Sequence, residues 1–131
     1  MENKQFKNGL LLTENRETQQ IMVNNQYNVK GFNLELGGMI KLPYANKTID
    51  MALNVYTDSK QDLFIELLSD EERVTIADLT WIINNLCELS SNSRVDINKS
   101  PMPDFVVSYN KQLLILDTIR ILNKLIIAQQ Q

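Results

Sequence analysis

Residues 49–67 read Ile49-Asp-Met-Ala-Leu-Asn-Val-Tyr-Thr-Asp-Ser-Lys-Gln-Asp-Leu-Phe-Ile-Glu-Leu67, and their period decides the fold. Ile49, Met51, Leu53 and Val55 alternate with Asp50, Ala52, Asn54 and Tyr56. After the turn Asp58-Ser-Lys-Gln61, the residues Leu63, Ile65 and Leu67 alternate with Asp62, Phe64 and Glu66. Successive side chains of a strand point to opposite faces, so this is a pair of strands with one apolar face and one wet face. Upstream, Phe32, Leu34 and Leu36 alternate with Asn33 and Glu35, and Ile40 and Leu42 follow Gly37-Gly38. That pattern predicts a strand with a glycine bulge at 37–38, ending in a turn over 43–47. Three alternating strands joined by short turns form an antiparallel meander, because a parallel crossover needs a dozen residues or more.

Nearer the N-terminus, Ile21 and Val23 before Asn24-Asn25-Gln26, with Tyr27 and Val29 after it, predict a short hairpin. Residues 1–19 are polar apart from Leu10, Leu11 and Leu12 and hold no period, so an N-terminal arm is expected there, followed by one domain over 20–131. Beyond the meander the period changes. Thr75-Ile-Ala-Asp78 has the spacing of a capping box, and Ile76, Leu79, Ile83 and Leu86, flanked by Ile82 and Leu89, form a stripe at helical spacing. The spacing predicts a helix over about 76–89 that closes on the apolar face of the meander.

Residues 90–103 have the composition of a loop, and residues 105–109 and 112–116 around Asn110-Lys111 predict a second hairpin. Ile119, Leu122, Leu125 and Ile126 suit one helix face, while Ile119 and Ile121 also suit a strand; the helix is preferred over 118–128. The expected class is α+β: mainly an antiparallel meander with one capped amphipathic helix on its apolar face, a second hairpin and a C-terminal segment of either type.

Gly31-Phe-Asn-Leu-Glu-Leu-Gly37 leading to Lys41-Leu-Pro43, then Thr75-Ile-Ala-Asp-Leu79, then Met102-Pro-Asp-Phe105 with Val107-Ser-Tyr-Asn110, resemble the repeat unit of large, β-rich bacterial and fungal proteins of uncharacterised function. The likeness covers roughly two thirds of the chain. It implies the same order of strands, turns and one capped helix, and brings no catalytic motif with it. This chain differs in being a single short unit with a polar arm.

Composition narrows the chemistry. Of 131 residues 44% are hydrophobic and 22% charged, with net charge -3 and no histidine. Histidine is the usual general base and the commonest metal ligand, so triads of the serine-histidine-acid kind and histidine-ligated zinc or haem are excluded within this chain. The 13 Lys and Arg are scattered among 16 acids, which argues against unaided binding to nucleic acid or an anionic membrane. Gly9 to Leu12 is too brief for a signal-peptide core and no apolar run spans a membrane; the expected location is the cytoplasm, or export without a cleaved signal peptide. Cys87 lies in an apolar stretch and is expected to be a buried thiol. The acidic run Asp70-Glu-Glu72 lacks the spacing of a calcium loop, and the glycines make no phosphate-binding fingerprint. No cofactor and no metal are expected.

Two groups of residues merit attention. Trp81 falls opposite the helix stripe, among Asp78, Asn84, Asn85 and Glu88, where an exposed indole could anchor a protein partner; the competing reading is cover from within the same chain. Asn33, Glu35, Asn54, Tyr56, Phe64 and Glu66 share the expected wet face, where aromatics with amides and carboxylates could hold a sugar or a polar peptide, and Glu35 with Glu66 could form a glycosidase pair. A solvated or cross-strand-paired face is the plainer reading. With 15 asparagines and 9 glutamines, and candidate free edges at 27–29 and 105–109, the sequence favours recognition over catalysis. The preferred reading is a non-enzymatic interaction or structural module that binds itself or a larger protein. The alternatives are a small acidic inhibitor, of immunity or anti-defence type, acting on an enzyme or nucleic-acid-binding protein, and a carbohydrate or small-ligand-binding domain.

Overall fold

The computed structural model describes residues 6–43, 48–70, 74–91, 106–107 and 112–130. Its strands are β1 (Asn8–Glu14), β2 (Ile21–Asn24), β3 (Asn33–Pro43), β4 (Thr48–Thr57), β5 (Leu63–Ser69) and the two-residue β6 (Val106–Val107); its helices are α1 (Ile76–Ser91) and α2 (Gln112–Gln130). The strands make one sheet in the order β2-β1-β5-β4-β3-β6, and every neighbouring pair is antiparallel. The expected meander is β3-β4-β5, and the class is α+β.

Register divides the side chains between two faces. Leu12 lies opposite Ile65, Ile65 opposite Val55 and Val55 opposite Leu36, and all four are buried. Together with Leu53, Leu63, Leu67, Ile40 and Met51 they meet Leu79, Ile82, Ile83 and Leu86 of α1 and Ile115, Ile121 and Leu122 of α2 in one core. Both helices therefore cover the same face. The start of α1 is as its spacing predicts: Thr75 Oγ1 accepts from the Asp78 N–H at 3.1 Å, and Asp78 Oδ2 accepts from the Thr75 N–H at 3.0 Å.

Five expectations need correction. Residues 8–14, assigned to a polar arm, are the interior strand β1. Leu12 packs in the helix-covered core while Leu11, pointing the other way, is also buried, so the triple leucine carries no alternation for the eye to find. The hairpin partner of β2 is β1 rather than 27–29, closed by a turn in which the Asn15 N–H donates to the Gln20 carbonyl at 3.0 Å. The β3 irregularity lies between Leu34 and Leu36; Gly37 and Gly38 stay in register with Asn54 and Leu53. Residues 112–116 open α2 rather than forming a strand, so the whole segment through 118–128 is helical. Cys87 is exposed, not buried. The expected turn at 44–47, the Glu71-Glu72 part of the acidic run and the expected loop over 92–103 fall outside the described residues.

Because β2 lies at one edge and β3 beyond β4, residues 25–32 must cross β1, β5 and β4. At about 4.8 Å per strand this is roughly 19 Å, within reach of eight residues. The helices occupy one face, and the crossing runs over the other. Its path is set by local turns, in which Asn24 Oδ1 accepts from the Gln26 N–H and Asn28 Oδ1 from the Lys30 N–H, both at 2.9 Å.

Candidate functional site

The face opposite the helices carries Asn54 and Tyr56 from β4 and Phe64 and Glu66 from β5, four of the six residues expected on a wet surface. It is not open. Phe32 of the crossing segment stacks on Phe64, with centroids 4.2 Å apart and planes at 26°, and meets Tyr56 at 6.5 Å and 57°. Tyr27 reaches the same face near Gly9 and Leu68. Beneath this strap Glu66 is only 7% exposed.

A buried carboxylate requires donors. Glu66 Oε1 accepts from Asn54 Nδ2 at 2.9 Å and from the Tyr56 hydroxyl at 3.2 Å, and the Tyr27 hydroxyl hydrogen-bonds to the same carboxylate. Burial, then the negative charge of Glu66, pushes the Tyr56 hydroxyl up to about 12; the same causes raise Tyr27. Two glycines make room for this arrangement. A Cβ on Gly9 would run into the Tyr27 hydroxyl, and one on Gly37, where φ is +154°, would run into the Asn54 side chain and lie 2.6 Å from the Leu53 carbonyl oxygen. Among the described residues no buried side-chain nitrogen or oxygen lacks a hydrogen-bond partner.

Asn33 and Glu35 are not part of this cluster. The bulge between Leu34 and Leu36 inverts the phase of the first residues of β3: Asn33 pairs with Thr57, Glu35 Oε1 accepts from Thr57 Oγ1 at 3.1 Å, and Leu34 stands 59% exposed. Thr57 pairs with Leu63 of the core face. Glu35 and Glu66 thus belong to opposite sides of the sheet, and the two flanking carboxylates that glycoside hydrolysis uses are not brought together.

On α1, Trp81 is half-buried and packs against the core, so much of its indole is covered within the chain. Asn84 is exposed; Asn85 Nδ2 donates to the Trp81 carbonyl at 2.8 Å; the Glu88 side chain lies outside the described residues. A second charged group, absent from the sequence reading, lies between β1 and α2. Glu14 is held by Arg120 and Arg16, and Asp117 by the same two arginines.

Sequence reasoning also missed a pair of exposed apolar residues on β2. Met22 is 71% and Val23 53% exposed on a strand that ends the sheet. Of the two edges expected, 27–29 is not a strand, and residues 106–107 form β6 at the opposite end. The available signal was the uncharged run Ile21-Met-Val-Asn24, which lacks the lysine or proline that commonly guards an edge. No group of metal-ligating side chains occurs among the described residues, and none of their helices is long and apolar enough to cross a membrane. No family model, curated protein or solved structure matches the chain.

Proposed function

We propose that this chain is a non-enzymatic protein-interaction module that associates, with itself or with a larger protein, through the edge strand β2. The observation that carries this reading is the exposure of Met22 and Val23 on an uncharged strand end. An unpaired edge offers a row of backbone N–H and C=O groups, and strand addition to such an edge is a common mode of recognition. The polar cluster under the strap points the same way. Its carboxylate is occupied by Asn54, Tyr56 and Tyr27, and Phe32 takes the ring face of Phe64, so these groups are engaged in holding the crossing segment.

Light scattering over about 1 µM to 1 mM, on the natural chain and on Met22→Lys, tests the reading. Mass that rises with concentration and is lost in a folded Met22→Lys chain supports it. Natural and variant chains that behave alike throughout overturn self-association through β2.

A further inference from the structure

Resting on the β2 reading, we infer that the partner is a second copy of this chain and that the two β2 strands pair antiparallel about a twofold axis at Met22, joining two sheets into one. Three observations support this geometry.

The first is the phase of the hydrogen bonds. Asn15 and Gln20 are opposite each other and bonded, and in an antiparallel ladder bonded pairs alternate with unbonded ones. Counting along the register, Met22 and Asn24 turn their backbone groups toward β1. Ile21 and Val23 therefore present theirs to the free edge.

The second is the side-chain faces. Ile21 pairs with Glu14 and Val23 with Leu12, on the helix-covered face, whereas Met22 pairs with Thr13 on the other. A twofold axis perpendicular to the sheet keeps like faces together, so a residue can only meet one of the same face. Centred on Met22, it places Ile21 opposite Val23 of the second copy and the reverse, each pair exchanging two backbone bonds. Ile21 already packs against the core, so the pairing carries that apolar layer across the junction. Met22, the most exposed apolar residue described, meets its own equivalent on the far face.

The third is charge. Each chain carries -3, so two copies repel unless they meet on a neutral surface. The run Ile21-Met-Val-Asn24 is neutral, and the flanking Gln20 falls opposite Asn24 of the second copy, amide against amide. Four residues a side are fewer than a standard stable interface uses, so the dimer is weak and concentration-dependent.

The register is testable by crosslinking. In a Cys87→Ser background, Met22→Cys and Val23→Cys are each equilibrated in a thiol redox buffer at high concentration and analysed without reductant. An unbonded antiparallel pair has Cα atoms about 4.5 Å apart, within disulfide range, whereas like residues two positions out of register are about 8 Å apart. The expected result is covalent dimer from Met22→Cys in several-fold excess over Val23→Cys, with Leu116→Cys, exposed on α2, as the background. Excess from Val23→Cys, or no excess above Leu116→Cys, overturns the Met22-centred dimer. If light scattering still shows association that Met22→Lys abolishes, the wider β2 reading stands and only this geometry fails. A chain that stays monomeric and binds nothing at β2 removes both.

Discussion

Arg120 and Glu14 are 106 positions apart in sequence and meet at two points: Nη1 donates to Oε2 at 2.5 Å and Nη2 to Oε1 at 2.8 Å. The Glu14 side chain is fully buried and that of Arg120 is about one-third exposed, so the pair ties the end of β1 to the middle of α2. Arg16 adds a bond to Glu14 at 3.3 Å and one to Asp117 at 2.9 Å, and Arg120 also reaches Asp117 at 3.2 Å. Removing Arg120 leaves the Glu14 carboxylate buried with Arg16 as its remaining ion-pair partner among the described residues.

Arg120→Ala is expected to destabilise the fold by about 2–3 kcal/mol in denaturant titration. That is less than a fully buried broken pair costs, because Arg16 remains and Arg120 is partly solvated. Replacing Glu14 and Arg120 together by Leu and Met should cost less than Arg120→Ala alone. A double variant as unstable as the sum of its parts would contradict this.

The same pair gives the fold an acid limb. The Arg120 hydrogen bond, opposed by burial and helped by the charges of Arg120, Arg16 and Lys124, holds the Glu14 carboxyl below its usual range. A depressed carboxyl stabilises the fold above its unfolded-state value, about 4.3, and that contribution is lost as pH falls through the lower folded value. Stability measured against pH should therefore drop below about pH 4.3, and the gap between the natural chain and Arg120→Ala should narrow over the same window.

Tyr56 supplies the opposite limb. Its hydroxyl is pushed up to about 12, first by burial and then by the charge and hydrogen bond of Glu66. A raised value favours the protonated, folded form, so this contribution is complete below pH about 10 and is lost as pH rises through about 12. Ultraviolet titration of the 4 tyrosines should show Tyr56 silent past pH about 10 while the fold persists. Glu66→Gln should bring its midpoint part of the way down, because burial, the larger cause, remains. A midpoint unmoved by that change would show that Glu66 is not involved.

The parts of this fold legible in the sequence are those whose signal is local. The meander shows in Met51, Leu53 and Val55, and α1 in Thr75, Asp78 and the Leu79 to Leu86 stripe, because each has one buried side and a period to match. β1 was illegible because it is covered on both sides. Leu11 and Leu12 are both buried, and the carboxylate of Glu14 is held inside chiefly by Arg120, far along the chain. Residues 113–116 are an unbroken apolar run, in which strand and helix periods cannot be told apart. For the candidate site, Asn54, Tyr56, Phe64 and Glu66 were found on one face. Asn33 and Glu35 were misplaced because one extra residue in a strand reverses every side chain before it. The strap was hidden in Tyr27 and Phe32, whose partners are set by topology.

The cap of α1 offers a calibration of local signal. Thr75→Ala removes the acceptor of the Asp78 N–H and should cost about 1 kcal/mol in denaturant titration. Thr75→Ser, which keeps the oxygen, should cost much less. Equal losses would mean that the hydroxyl is not what Thr75 contributes.

The strap is best tested where a backbone and a ring meet. A Cβ on Gly9 would collide with the Tyr27 hydroxyl and stand 3.1 Å from Leu68 Cδ2 and 3.3 Å from Tyr27 Cζ. Gly9→Ala should therefore lift Tyr27 from Glu66 and destabilise the fold, even though alanine ordinarily suits a strand better than glycine. Tyr27→Phe alone should cost about 1 kcal/mol for the lost hydrogen bond. In the double variant the most severe collision is gone, so the two losses should fall short of additive by more than about 0.5 kcal/mol. Strict additivity would place the strain of Gly9→Ala at Leu68 instead, and would detach the strap from β1.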